Sequence, residues 1–237
     1  MAELEIYRRG HGLQLDHVGL GVPDTKAGAE WLEERTGARV HLTEPDPNQW
    51  YWSGALPIGT DSFLEVIGPN PSWRRFQPFR SLLKTLKEPQ LLFWYIAVND
   101  FEAFRRLADQ QSAGLERIES VNPDSTDPSV HSFIRGYVGP GFLTQRPNVI
   151  QWRNRPFPVD ADTRCLLQDF RLQHPDGAKI TDTFHALGIE TAVAVGESSI
   201  GLTLDTPNGA VQLDNPGISL VGVSALITMA RLWLTAR

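Results

Sequence analysis

The feature that most constrains the fold is one pattern that occurs three times at a spacing of 76 residues. Asp24, Asp100 and Asp176 each follow a strand-like apolar stretch and precede a stretch with apolar residues three or four positions apart. A carboxylate there can accept the free amide protons of a first helical turn, and the apolar spacing gives a helix one buried face. Each helical stretch ends at a glycine, which tolerates the left-handed conformation of a helix end. These glycines are Gly37, Gly114 and Gly188.

Three more strands are predicted after each helix, because short apolar stretches alternate there with turn sequences rich in proline, glycine and asparagine. They cover residues 38–42, 50–56 and 62–67, then 115–121, 132–138 and 148–153, and finally 190–195, 200–205 and 210–214. The repeating unit is therefore strand, helix, three strands. The predicted fold class is α+β, with tandem βαβββ modules.

The predicted modules divide the chain as follows. Module one covers about residues 13–70 and module two about 90–155, and the two pair within residues 10–157. A third module covers 163–215. Residues 216–237 form an apolar segment that we interpret as a packing or interface helix. Its strongly apolar part, residues 218–234, is a little short for a membrane span and contains Gly222 and Arg231, so a membrane anchor is disfavoured.

Composition excludes some classes of function. The net charge of −6 and the lack of a basic run argue against a nucleic-acid partner. Cys165 is the only cysteine, so no intrachain disulfide can form, and a reducing, cytoplasmic location is expected. An odd number of modules leaves the third without a partner. It could pair with its copy in a homodimer or extend the first sheet.

Two stretches carry a family resemblance. The segment LDHVGLGVPD at residues 15–24 and the strand FLEVIGPNP at residues 63–71, together with the βαβββ repeat, resemble the glyoxalase-like branch of the vicinal oxygen chelate superfamily. The resemblance covers most of the chain to about residue 215. It implies that two modules pair into a cup-shaped, eight-stranded mixed sheet with helices outside. The floor of such a cup binds a divalent metal through side chains of the first and fourth strands.

The resemblance places the metal ligands on His17 and Glu65. Strand alternation supports both, because each side chain points away from the face that packs on a helix. In module two, the position of His17 becomes Phe93, which cannot bind a metal. The position of Glu65 becomes Gln151, whose amide oxygen is a weaker ligand. A site of His17, Glu65 and Gln151 would suit Zn, Fe, Mn or Ni, and His131 or His11 could complete it.

Several other residues are predicted to line a substrate pocket. Trp50 and Trp52 lie two positions apart on a strand and share a face, which is either the pocket or the core. Phe93 and Tyr95 share the inner register of module two and would make the pocket partly apolar. Arg135 is a candidate for binding an anionic group.

Three classes of function are consistent with these residues. The first is divalent-metal-assisted lyase or isomerase chemistry on a small oxygenated organic substrate, with Glu65 as the catalytic base. The second is a metal-free binding protein that sequesters a small molecule, with His17 and Glu65 hydrogen-bonded to each other. The third is a non-catalytic, dimeric accessory protein. Ring-cleaving iron chemistry is disfavoured, because it needs two histidines and a carboxylate.

Overall fold

A computed structural model of the chain describes residues 13–126, 132–138, 145–154 and 164–215, and these residues form an α+β fold with two sheets. The helices are α1 (Thr25–Thr36), α2 (Pro78–Thr85), α3 (Phe101–Gln110) and α4 (Gly177–Ala186). The strands of modules one and two are β1 (Gln14–Gly21), β2 (His41–Leu42), β3 (Tyr51–Pro57), β4 (Phe63–Pro69), β5 (Gln90–Ala97), β6 (Leu115–Val121), β7 (Ser132–Val138) and β8 (Asn148–Asn154). Those of the third unit are β9 (Leu166–His174), β10 (Val193–Val195), β11 (Ser199–Thr206) and β12 (Gly209–Asn215).

Modules one and two join into one eight-stranded sheet of order β2-β3-β4-β1-β5-β8-β7-β6. In each module the first strand pairs in parallel with the fourth, β1 with β4 and β5 with β8. The modules meet where β1 and β5 run antiparallel. The predicted pairing of two βαβββ modules in a mixed sheet is confirmed.

The predicted helix signals are confirmed at most positions. Carboxylate oxygens of Asp24 and Asp100 accept hydrogen bonds from the amides of Ala27 and Ala103, both at 2.9 Å. Asp176 makes no such bond; its own amide donates to Nδ1 of His174 instead. The three predicted terminal glycines all have positive φ angles, of 68°, 52° and 78° in chain order.

The third unit has the predicted order of elements but a different strand pairing. Its sheet has the order β10-β9-β11-β12, so β9 pairs in parallel with β10 rather than with the fourth strand. In modules one and two, the second edge of the first strand is occupied by the other module. Strand β9 has no partner module, and its own β10 and β11 fill both edges. The third unit is therefore not a third half-cup.

The third unit packs on the helix side of the large sheet. The ring centroid of Trp94 on β5 lies 5.2 Å from that of Phe170 and 5.8 Å from that of Phe184. Apolar side chains of β9, β11 and α4 share one continuous core with α1 and α3. The unit thus covers its apolar face within its own chain and does not extend the large sheet. The third unit therefore does not need a second chain to cover its apolar face, and the homodimer stays a prediction.

Polar contacts tether the third unit to α1. Asn208, in the turn between β11 and β12, donates to the carbonyl oxygens of Thr36 and Glu34.

Burial raises the pKa of Cys165 to about 11, so its thiol is protonated at neutral pH. Among the described residues, no helix is both long and apolar enough to cross a membrane. Residues 216–237, His11 and His131 lie outside the described residues.

Candidate functional site

The candidate site lies on the face of the large sheet opposite α1 and α3, which we call the inner face. Strand alternation sends Val18 and Leu64 into the helix-side core and leaves His17 and Glu65 on the inner face. Gly19, next on β1, is covered by the ring of Phe93, and a Cβ at this glycine would lie only 2.2 Å from that ring. Only glycine therefore allows Phe93 to lie across β1 beside His17.

The imidazole of His17 is held in a stack of aromatic rings. It lies between Phe63, at 4.8 Å between ring centroids, and Tyr95, at 4.3 Å, with interplanar angles of 19° on both sides. Phe93 meets the same ring edge-on at 6.2 Å. The histidine is only 5% exposed. Neighbouring strands β4 and β5 supply the stack, so the ring plane is fixed by the sheet itself.

Asp16 is the partner of His17 that the sequence did not reveal. Its Oδ2 lies 2.6 Å from Nδ1 of His17, and its Oδ1 accepts the indole N–H of Trp152 at 3.0 Å. Simple alternation would put adjacent residues on opposite faces. The pairing of β1 with β5 slips between Leu15 and His17, so Asp16 is an extra residue in β1. The sequence did contain one signal of this bulge: Asp16 is acidic, although alternation assigns its position to the apolar face.

The carboxyl group of Glu65 faces the other nitrogen of His17. Its Oε2 lies 3.7 Å from Nε2 of His17, which is too long for a hydrogen bond and short enough for strong electrostatic coupling. Burial raises the pKa of Glu65, while the charge of His17, a hydrogen bond from Ser53 and the charge of Arg135 act to lower it. The net shift is upward, so Glu65 keeps its proton to a higher pH than an ordinary glutamic acid.

Arg135 and a group of tyrosines border this pair. The guanidinium donates to one oxygen of Glu119 at 2.7 and 2.9 Å and bonds to the Tyr95 hydroxyl. Burial acts to lower the pKa of Arg135, but Tyr95, Tyr137 and Glu119 outweigh it and raise the pKa. Burial, then the charge of Glu65, raises the pKa of Tyr51 to about 12. The site therefore offers the permanent cation of Arg135 beside the neutral phenol groups of Tyr51 and Tyr95.

The two predicted tryptophans do not share a face. Trp50 lies just before β3, and its ring centroid is 4.9 Å from that of Tyr51 and 5.3 Å from that of Phe79 on α2. It packs at the edge of the inner cluster, whose buried members are Ile67, Leu83, Leu92, Phe93, Tyr95, Phe133 and Ile150. The indole N–H of Trp52 donates to the carbonyl of Thr43 at 2.7 Å, and Trp52 is not in that cluster. The prediction for Trp52 as a pocket residue is therefore wrong. Tyr51, one position earlier, is the residue of β3 that joins the inner cluster.

The predicted position of Gln151 is also wrong. Its side-chain oxygen accepts the backbone N–H of Phe101 at 2.9 Å, at the start of α3, so Gln151 lies on the helix side. Its neighbours on β8, Ile150 and Trp152, belong to the inner cluster instead. Because strand side chains alternate, an error of one residue in the register of β8 reverses the face. Phe93 lies on the inner face as predicted and has no metal-binding atom.

The side chains that the structure describes do not fit a resident divalent metal. Within the described ranges, no group of three or more histidine, cysteine or acidic side chains is arranged to hold one. Module one provides Nε2 of His17 and a carboxylate oxygen of Glu65, and module two provides rings where its ligands were expected. Biological zinc sites use at least three protein ligands. Two donors fall short of that set.

Comparisons with known proteins agree with this fold. The sequence model of the glyoxalase-like domain matches residues 15–188. No curated protein matches the sequence. A mutant of 4-hydroxymandelate synthase from Streptomyces coelicolor is similar in structure, with a TM-score of 0.50 and 13% identity over 86% of this chain and 63% of that one.

Two further solved structures are similar. A hypothetical protein from Staphylococcus aureus has a TM-score of 0.50 and 11% identity, over 85% of this chain and 84% of that chain. Methylmalonyl-CoA epimerase from Mycobacterium tuberculosis has a TM-score of 0.43 and 18% identity, over 63% of this chain and 95% of the epimerase chain. At these identities the likeness of the first two structures shows a shared fold.

Proposed function

The chain belongs to the glyoxalase-like domain family of the vicinal oxygen chelate superfamily, and from that premise we propose that its inner face binds a small oxygenated organic anion and moves a proton on it. The reaction class is lyase or isomerase. One observation carries the proposal: Nε2 of His17 and Oε2 of Glu65 face each other at 3.7 Å in a buried, ring-lined site. The proposed chemistry is metal-independent, because the described residues supply only two donors.

The residues around the pair favour a particular class of ligand. Arg135 is a forked donor suited to a carboxylate, and its side chain is 25% exposed, so a ligand can reach it. Apolar and aromatic side chains of the inner cluster favour an apolar or aromatic body. A small 2-oxo or 3-oxo acid combines these features and carries acidic C–H bonds next to its carbonyl group.

Proton transfer follows from the charges of the pair. Nε2 of His17 accepts a proton from the carbon next to the carbonyl, and the resulting imidazolium is stabilised by the Asp16 carboxylate. In its protonated form, which the raised pKa favours, the carboxyl group of Glu65 donates its proton to the carbonyl oxygen to form an enol. The imidazolium then returns a proton to carbon while the enol O–H gives its proton back to the Glu65 carboxylate, which regenerates both groups. If the proton returns to another face or atom, the substrate is isomerised.

Exchange of carbon-bound hydrogen for solvent deuterium tests this function. Protein in D₂O is mixed with pyruvate, phenylpyruvate, acetoacetate or benzoylacetate, and loss of the C–H signal is followed by proton NMR against the uncatalysed rate. We expect faster exchange of at least one aromatic member, lowered about 100-fold or more by His17→Gln or Glu65→Gln. Equal exchange in wild type and variants would contradict the proposal. Glu190→Gln, at an exposed position, is the matched control.

A metal-free binding protein is the second candidate, and the rings that surround His17 favour it. Phe63, Phe93 and Tyr95 contact its imidazole ring. Such a surface can retain a flat ligand without turnover. A shift in melting temperature with phenylpyruvate or benzoylacetate, together with no exchange above background, would favour this candidate over an isomerase.

A further inference from the structure

We infer that Asp16, brought onto the inner face by a β-bulge, positions His17 as a metal-independent base by holding its ring proton on Nδ1. This inference rests on the proposed function of the inner face, and it assigns a role to a residue outside the expected ligand set. Asp16 does not touch the ligand in this scheme. It acts through His17, and is therefore a positioning residue.

The geometry of Asp16 sets the tautomer of His17. A carboxylate can only accept hydrogen bonds, so its Oδ2, 2.6 Å from Nδ1, requires a proton on that nitrogen. In neutral imidazole the other nitrogen, Nε2, then carries a lone pair. That lone pair faces Glu65. This is the tautomer that a general base requires.

Trp152 locks the orientation of Asp16. Its indole N–H can only donate, and it donates to Oδ1 at 3.0 Å. Trp152 lies on β8 of module two, whereas Asp16 and His17 lie on β1 of module one. Module two therefore contributes a donor that orients the carboxylate, at the strand where the resemblance places a metal ligand.

The same contacts disfavour a metal ion on Nε2. A metal there would need at least one ligand from the strands opposite, and within the described residues those positions hold Phe93, Ile150 and Trp152. The imidazole ring is also fixed between Phe63 and Tyr95, so it cannot turn towards other donors. The aromatic stack and the Asp16 contact supply the orientation that a metal would otherwise provide.

Substituting Asp16→Asn tests the tautomer directly. The side-chain oxygen of the amide must stay on the Trp152 N–H, because that group cannot accept a hydrogen bond. The amide NH₂ then faces Nδ1, which has to become the unprotonated nitrogen. We expect the proton to move to Nε2. Adding Trp152→Phe removes the N–H, allows the amide to flip, and should return the proton to Nδ1.

The measurement is two-dimensional ¹H–¹⁵N NMR of the histidine rings, with His17 assigned by its loss in His17→Gln. At mildly alkaline pH, where ordinary histidine is neutral, we expect Nδ1–H in the wild type and in Trp152→Phe alone. We expect Nε2–H in Asp16→Asn and Nδ1–H again in the double variant. A proton on Nε2 in the wild type, alone or together with one on Nδ1, would overturn the inference. An unchanged tautomer in Asp16→Asn would do the same.

A metal titration completes the test. Zn²⁺ or Co²⁺ added to the full-length wild type should leave the Nε2 signal of His17 unchanged at micromolar concentrations. Coordination at Nε2 in that range would overturn the metal-independent role. These readouts need no substrate, so they can fail while the exchange experiment succeeds. If the tautomers behave as expected and exchange is absent, the proposed function fails and the role of Asp16 in orienting His17 stands.

Discussion

Nε2 of His17 lies 3.7 Å from Oε2 of Glu65, and both residues belong to module one, on the neighbouring strands β1 and β4. Module two meets this pair with rings: Tyr95 stacks on the imidazole, and Trp152 bonds to its partner Asp16. Two modules of the same fold therefore have different tasks. Module one carries the His17–Glu65 pair, and module two contributes the ring and the hydrogen-bond donor that fix its orientation.

Glu65→Gln should change how stability depends on pH. Burial raises the pKa of Glu65 in the folded state above its ordinary value of 4.5. Between pH 4.5 and this higher folded pKa, the Glu65 side chain therefore binds more protons in the folded state than in the unfolded state. The contribution of Glu65 to stability is therefore fully present below pH 4.5 and is lost as pH rises through the folded pKa. Glutamine cannot ionise and escapes this loss.

The melting temperature of Glu65→Gln, measured from acidic to neutral pH, should rise relative to the wild type as pH increases. Glu190→Gln, at an exposed position, should run parallel to the wild type throughout. A Glu65→Gln protein that becomes relatively less stable towards neutral pH would show that the folded state favours the carboxylate.

Gly19→Ala should destabilise the protein by about 1–3 kcal/mol, as overpacked core positions do. The added Cβ meets the ring of Phe93 at 2.2 Å, and that ring cannot leave β1 without losing its contact with His17. Urea unfolding measures the effect. Gly59→Ala is the matched control, because nothing lies within 4 Å of a Cβ there.

The clash should depend on Phe93. In the background of Phe93→Ala, the additional cost of Gly19→Ala should largely disappear, which a double-mutant cycle detects as a coupling energy. Independent, additive costs would show that Phe93 does not cover Gly19.

Arg135 and Glu119 should act on ligand affinity in opposite directions. Arg135→Gln should weaken binding of benzoylacetate about 10- to 100-fold, since a hydrogen bond to a charged group contributes about 1.5–3 kcal/mol. Glu119→Gln should strengthen it up to about fivefold, because Glu119 is 52% exposed and competes for the guanidinium only weakly. Isothermal titration calorimetry gives both values. Weaker binding in Glu119→Gln would contradict an anion site at Arg135.

Phe184→Ala should destabilise the whole chain by about 3–5 kcal/mol, as truncation of a buried phenylalanine does. Phe184 is fully buried on α4 and contacts Trp94 of the large sheet. Denaturation followed by circular dichroism and by tryptophan fluorescence should show one coincident transition. Val195→Ala, at a 70% exposed position, should have little effect. Separate transitions would show that the third unit folds independently.

Much of the architecture could be predicted from local patterns. The cap at Asp24, the glycine at position 37 and the apolar periodicity between them depend on residues close together in sequence. The same signals recur around Asp100, and the structure confirms them. Alternation within β1 and β4 likewise placed His17 and Glu65 on one face.

The rest depends on contacts that local patterns do not contain. The bulge at Asp16 arises from the register between β1 and β5, so alternation assigned this residue to the wrong face. The face of Gln151 depends on where β8 begins its pairing with β5. The order of strands around β9 depends on which edges other modules leave open. Each of these is a long-range property of the assembled sheet.

Solvent-deuterium exchange by chelator-treated protein tests the central claim most directly. Wild-type protein treated with EDTA should exchange the carbon-bound hydrogens of phenylpyruvate or benzoylacetate above the uncatalysed rate, at the same rate as untreated protein. His17→Gln and Glu65→Gln should each lower the rate about 100-fold or more. Exchange that disappears with EDTA and returns with Zn²⁺, or that is equal in the wild type and both variants, would contradict proton transfer by the His17–Glu65 pair.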